Sequence, residues 1–234
     1  MKKLDHRVQV AANRREQMRA RLMQAAILVF GQRGVEASVI DEVTSTAGVA
    51  RSTFYNYFRT NEMLLKTVAI EAGDEIMAAI DPIVRRAVDP AERVSTGVRS
   101  WLSVVEGQPH FAAFLRRAGL YVLEHNSLVR EHLPRDLVEG IRLRRFTVQR
   151  PEVAFDLVAG AVLGAINSLA VRQVPEGYAG DLSQGILMAL GIEANEARAI
   201  SNKPIGEIVL PDDSLVVQAG VRLRQLSVRS ASNA

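Results

Sequence analysis

The sequence predicts an all-α fold, with a small N-terminal three-helix unit followed by a larger helical domain. Apolar residues recur at intervals of three and four along most of the 234 residues, the spacing of one helix face. Helix-start signatures precede several of these runs. Asp89-Pro90-Ala91-Glu92, for example, joins an N-cap, an N1 proline and an acid at N3. Glycine and proline punctuate the runs, as at Gly34, Gly48, Pro109 and Pro151.

Met18, Leu22, Ala25 and Val29 define the inner face of a first helix, which Gly31 and Gly34 close. Ser38 is an N-cap with Asp41 three residues on, and it opens a short helix to about Thr46. Gly48 then frees the backbone for a tight turn. A second short helix runs from Arg51 to Phe58, with Phe54 and Phe58 four apart on one face. Thr60 caps a longer helix to about Ile80, with Leu64, Leu65, Val68, Ala69, Ala72 and Ile76 inward, and Pro82 ends it. Val94, Val98, Trp101, Leu102 and Val105 mark the helix after Asp89, down to about Gly107. Pro109 starts another, with Phe111, Phe114, Leu115 and Ala118 inward. The next spans about Leu128 to Arg145 and is broken or kinked at Pro134. Pro151 opens a strongly apolar helix to about Val171, and Asp181 or Ser183 opens one through Leu190. Residues 201–234 are ambiguous: Ile208 to Pro211 reads as extended, and Leu215 to Val228 suits an amphipathic helix or a strand. Three regions follow: 1–60 with a basic N-terminal arm, a helical domain over 61–200, and a C-terminal extension over 201–234.

Charge is unevenly spread. Residues 1–66 hold 11 Lys/Arg against 6 Asp/Glu, while the rest hold 18 against 20. A basic terminal segment suits a polyanion, through phosphate contacts and counterion release; a solvated helix face with a frayed terminus gives the same count. The absence of cysteine excludes a disulfide framework and a thiolate metal site, and fits a reducing compartment. The N-terminus carries charge without an apolar core segment, unlike a secretory signal, so a cytoplasmic location is expected. Val153 to Val171 is interrupted by Asp156, Asn167 and Ser168; it reads as a buried helix, and no membrane partner is expected.

Catalysis finds no support. The sequence has no phosphate loop, dinucleotide fingerprint, nucleophile elbow or paired-carboxylate motif. His125 and His132 are seven apart, roughly 10.5 Å of rise on one helix, too far for one ion to bind both. No enzyme activity, cofactor or metal is expected.

The third helix concentrates the function. Two short helices joined by a tight turn, behind a longer one, give a helix-turn-helix, whose second element enters the DNA major groove. Phe54 and Phe58 would anchor that helix. Arg51, Ser52, Thr53, Tyr55, Asn56 and Tyr57 would face outward, toward base edges and phosphates. An ordinary amphipathic helix with a solvated polar face is the plain alternative.

The order of residues is more specific than the geometry. Ala26, Phe30 and Gly34 are followed by Ile40 and Val43, then Ala47-Gly48-Val49, then Ser52-Thr53-Phe54-Tyr55 with Tyr57-Phe58, then Glu62 and Leu64-Leu65. Over about residues 18–66 this resembles the TetR family of transcriptional regulators. The resemblance implies a homodimer whose N-terminal helix-turn-helix DNA-binding domain reads a near-palindromic double-stranded DNA operator. A larger helical ligand-binding and dimerisation domain would take a small apolar or amphipathic effector, whose binding releases a repressor. It places Arg51, Ser52, Thr53, Tyr55, Asn56 and Tyr57 at operator-contacting positions, and Ser38 where a hydroxyl meets phosphate. One departure stands out: the family usually has lysine just after the cap of the fourth helix, and this chain has Asn61. Asn61 can donate a hydrogen bond but brings no fixed charge, which leaves open a helical scaffold that has lost DNA recognition.

Two further sites follow. Ala159, Gly160, Ala161, Gly164 and Ala165 are small, and mid-helix glycine costs about 1 kcal/mol relative to alanine, so close approach of another helix is implied. That approach is either within one subunit or a four-helix interface between two, using Gly160, Ala161, Gly164 and Leu187; the resemblance favours the interface. For the effector pocket the candidates are Trp101, Phe111, Phe114 and Tyr121, with His125 and Asn167 as polar members; each also suits plain core.

Overall fold

The computed structural model describes residues 2–35, 39–118, 121 and 131–232, and eleven helices are found among them. The basic N-terminus is not an arm ahead of the first helix but part of it. Helix α1 (Lys2–Arg33) has 32 residues, about 48 Å of rise. Its later turns are the buried ones, with Leu22, Ala25, Ala26, Ile27 and Phe30 fully enclosed. Gly31 lies inside α1 and does not close it. A Cβ at that position would sit 3.1 Å from the Phe114 backbone nitrogen, so glycine lets two helices approach closely. The helix ends at Gly34, whose amide donates to the Phe30 carbonyl at 2.9 Å.

Helix α2 (Ile40–Ala47) is followed by α3 (Arg51–Tyr55) and α4 (Asn61–Val84). Ser38 lies outside the described residues; Val39 occupies the N-cap position of α2 and supplies no side-chain cap. α3 is shorter than its sequence suggests. The Asn56 and Tyr57 amides bond back three residues, to Thr53 and Phe54, tightening the exit. Thr60 caps α4 as expected, its hydroxyl accepting from the Met63 amide at 3.1 Å. Pro82 does not end α4. It sits in the last turn, where one missing N–H is tolerated, and the Arg85 amide still reaches the Asp81 carbonyl at 2.9 Å.

Then come α5 (Pro90–Gly107), α6 (Pro109–Ala118) and α7 (Leu133–Arg142). Asp89 caps α5 through the Ala91 amide at 3.0 Å. Pro134 falls in the first turn of α7, directly after a π-helical turn at residues 131–132, so the hydrogen-bond pattern changes at the break or kink expected there. Residues 122–130, with the earlier part of the expected helix, lie outside the described residues. Helix α8 (Pro151–Val171) matches its expected span, and α9 (Tyr178–Ala189) opens three residues before Asp181, after Gly177. Helix α10 (Ala194–Ser201) has no counterpart in the sequence reading; Glu193 caps it by accepting from the Asn195 and Glu196 amides. The ambiguous C-terminus resolves into α11 (Leu215–Ser232), a helix, while residues 208–210 form no regular element.

α5 is central to the larger domain and packs on α4, α8, α9 and α10, whereas α1 packs on α2, α4, α6 and α11. The two groups share one apolar core, in which Phe30 of α1 meets Phe114 of α6 with ring centroids 6.4 Å apart. Several buried polar groups are paired across helices. Arg93 on α5 donates to Asp136 on α7 at 3.0 Å. Ser95, Ser183 and Ser201, from α5, α9 and α10, form a hydroxyl chain at 2.8 and 3.1 Å.

Candidate nucleic-acid interface and effector body

The turn between α2 and α3 depends on Gly48, which adopts φ +66° and closes α2 by donating to the Ser45 carbonyl at 3.0 Å. The Val49 amide turns back to Thr44 at 2.9 Å. α3 is held from behind by Phe54 and Phe58, both essentially buried, with ring centroids 6.0 Å apart. Its other faces are presented outward. Arg51, Ser52, Tyr55 and Asn56 are exposed, while Thr53 and Tyr57 are half-buried. Tyr55 rests its ring edge-on against Phe54 at 5.4 Å and is still 48% exposed, so it is anchored yet reachable. Tyr57 packs on the core margin. Asn61, the first residue of α4, is half-buried, so it is less available than the α3 residues.

A partner of Arg51 escaped the sequence reading. Its Nη1 donates to both carboxylate oxygens of Asp41 at 2.8 and 2.9 Å, and its Nη2 lies 3.5 Å from the Tyr55 hydroxyl. The helical geometry of the two elements brings together residues ten apart, a separation no single-helix periodicity reveals. The guanidinium is thus held over α3 before any base edge is met.

Beside α3 the outer half of α1 forms a second wall. Val10, Arg14, Arg15 and Met18 face Thr53, Asn56 and Tyr57 across an open groove of about 790 Å³. Arg14 and Arg15 are exposed there. Two residues of the basic excess legible in the sequence, Arg14 and Arg15, are therefore carried on a helix next to α3.

In the larger domain Trp101, Phe111 and Phe114 are 5, 1 and 0% exposed, and Phe111 stacks on Phe114 with centroids 5.9 Å apart. Tyr121 is half-buried against the same core, and His125 lies outside the described residues. Asn167 does not join them. It is exposed on the outer face of α8, in line with Gly160 and Gly164. That face is open: an added Cβ at either glycine meets nothing within 4 Å. Val153, Leu157 and Val171 extend it at helical spacing, 46, 40 and 58% exposed. Within one subunit the helix is therefore only partly buried, and the reading of it as a wholly buried helix does not hold for the single chain. α8 is long and apolar enough by composition to cross a membrane, with mean hydropathy 1.8, and only 28% of that window is covered by the rest of the chain. Ala161 is half-buried, but Leu187 is fully enclosed in the subunit core, and Met188 is an exposed large apolar residue of α9.

Two family descriptions match the chain: "Bacterial regulatory proteins, tetR family" over residues 22–68 and "Tetracyclin repressor-like, C-terminal domain" over 89–203. The solved structure of RolR in complex with resorcinol is similar over 85% of this chain and 100% of that one, at 30% identity and a TM-score of 0.66. The chain belongs to the tetR family of bacterial regulatory proteins. Members of the tetR family are transcriptional regulators and not enzymes. A Mycobacterium tuberculosis protein described as an uncharacterized HTH-type transcriptional regulator is 32% identical over 110 residues, 45% of this chain and 52% of that protein. The HTH-type transcriptional repressor KstR2 of Mycolicibacterium smegmatis is 25% identical over 84 residues, 36% of this chain and 39% of that protein. The chain thus spans about half or less of the length of these two curated relatives.

Proposed function

We propose that this chain is a homodimeric, cytoplasmic, effector-controlled repressor that reads a near-palindromic operator through α3. The outward polar face of α3, seated on Phe54 and Phe58, carries this reading. Arg51, Ser52, Thr53, Tyr55, Asn56 and Tyr57 make the operator contacts, with Ser38 and Asn61 at flanking phosphates. Arginine suits a guanine edge and the hydroxyls suit phosphate. Arg14 and Arg15 on α1 add sequence-independent affinity beside them.

Dimerisation uses the open face of α8, through Gly160, Ala161 and Gly164, with Met188 of α9 in the place first given to Leu187. An exposed apolar stripe of this length favours cover by a like surface, and a twofold axis supplies it. The effector is a small apolar or amphipathic molecule held near Trp101, Phe111, Phe114 and Tyr121. RolR, which was solved with the small aromatic diol resorcinol, supports that size and chemistry. Repression is the role of the similar transcriptional repressor KstR2. Release requires the effector to favour the DNA-incompetent state, because equal affinity for both states shifts nothing.

Selection of duplexes from a random-sequence library by the full chain tests this reading. Enrichment of an inverted repeat with half-sites about one helical turn apart is expected. Enrichment of nothing at moderate salt would reject it and favour a helical scaffold.

A further inference from the structure

We infer that α11 is part of the support of the reading head, and that Arg222 positions the α2–α3 turn from the C-terminal end of the chain. The inference rests on the DNA-binding reading and adds to it a residue outside both family-matched regions, which end at residue 203.

The last two carbonyls of α2 are the point of contact. The Gly48 and Val49 amides turn back to Ser45 and Thr44. Beyond them, the Ala47 carbonyl accepts from Arg21 Nη2 on α1 at 2.6 Å. The Thr46 carbonyl accepts from Arg222 Nη1 on α11, more loosely, at 3.4 Å. The same guanidinium donates through Nε and Nη2 to Gln24 Oε1 on α1, at 3.2 and 3.1 Å. Two arginines from two other helices thus serve carbonyls that a helix end leaves without intrahelical partners. Their charge also opposes the negative end of the α2 dipole. Burial draws the Arg222 guanidinium down from its ordinary range, and Arg21 nearby draws it further. The Gln24 and Thr46 oxygens are the neutral acceptors that hold it there.

The other end of α11 is seated in the larger domain. The Leu215 amide donates to Glu75 Oε2 on α4 at 2.7 Å, and His110 Nε2 on α6 lies 2.8 Å from the Val216 carbonyl. Leu215, Val216 and Ala219 are buried beneath it, and Gly220 lets the His110 ring come close; a Cβ there would be 2.8 Å from Cε1. Residues 215, 216, 219 and 222 share one face, so the helix that is fixed on α4 and α6 is the helix that grips α2. Displacement of α6 by an effector would reach the reading head along this strap as well as along α4.

The test uses the full chain and the duplex it enriches from a random library; if the wild-type chain enriches none, the DNA-binding reading fails before the strap is at issue. Arg222→Met should weaken binding to that duplex roughly tenfold, as loss of hydrogen bonds from a charged donor does. The slope of log affinity against log salt should stay the same, and the Gly48 and Val49 amides should exchange faster. Arg222→Lys should restore part of the affinity. Gln24→Leu, which keeps both arginines and removes an acceptor, should weaken binding about threefold and loosen the same amides, and it carries the test if the Arg222→Met chain does not fold. A salt slope reduced by about one would instead place Arg222 on a phosphate. Wild-type affinity and exchange in the folded variants would remove α11 from the head's support.

Discussion

Arg51 shows how a single side chain is prepared for its task. Its guanidinium is held against Asp41 of α2 and close to Tyr55, and the side chain is still 55% exposed. A bidentate contact with guanine is worth about 1–3 kcal/mol of discrimination, so Arg51→Ala should narrow the gap between operator and random duplex by roughly 10- to 100-fold. Fluorescence anisotropy with both duplexes measures it, and an unchanged ratio removes Arg51 from the base-reading set. Asn61 is the opposite case. It stands where the family resemblance implies a lysine, at the start of a helix that already favours anions. Asn61→Lys should tighten binding to all duplexes and steepen the salt slope by about one. An unchanged slope would mean that the α4 N-terminus stays clear of phosphate. The exposure of Arg51 was legible in the sequence, whereas the half-burial of Asn61 was not. The Asp41 partner was not, because it depends on how two helices cross.

At the scale of elements, local rules located what local chemistry controls. The Asp89-Pro90 start of α5 and the Pro151 start of α8 are encoded in adjacent residues, and the structure keeps both. Reading a proline as a stop misled at Pro82, since a ring in the last turn of α4 costs only one bond. Likewise Gly31 was read as an end signal, whereas its missing side chain serves the crossing of α1 and α6. α10 is eight residues long and gave too short an apolar pattern to be seen. The helical state of α11 depends on Glu75 and His110, far away in sequence, which is why Leu215 to Val228 looked equally suited to a strand. His110 makes that seat sensitive to acid. Burial lowers its imidazole below the usual value of about 6.5, with Arg224 lowering it further and the Val216 carbonyl opposing. The neutral ring is the form the fold accepts, so its contribution is complete above about pH 6.5 and is lost as pH falls below that. Thermal melts at pH 7.5 and 5.5 should show a loss for the wild-type chain that is smaller in His110→Gln; equal losses would place the acid sensitivity elsewhere.

For the whole molecule, the proposed dimer turns on α8. Apolar composition and small residues alone do not say which molecule covers its outer face, so packing within one subunit and an interface between two both suit the sequence, and the open space at Gly160 and Gly164 favours the second. Gly164 has open space around it in the single subunit, so Gly164→Arg should leave the subunit folded and split the dimer. Light scattering with circular dichroism separates the two effects, and an intact dimer would move the interface off this face. The length of α1 has its own consequence. Close contact at Gly31 pins one end of a rod of about 48 Å, while the exposed Arg14 and Arg15 ride nearer the free end. A tilt of about 5° at the pinned end moves the helix at Arg14, about 25 Å away by the rise of a helix, through about 2 Å. A pivot beside Phe114 therefore has a mechanical advantage: an adjustment there too slight to disturb the packing can swing a row of positive charge off a polyanion.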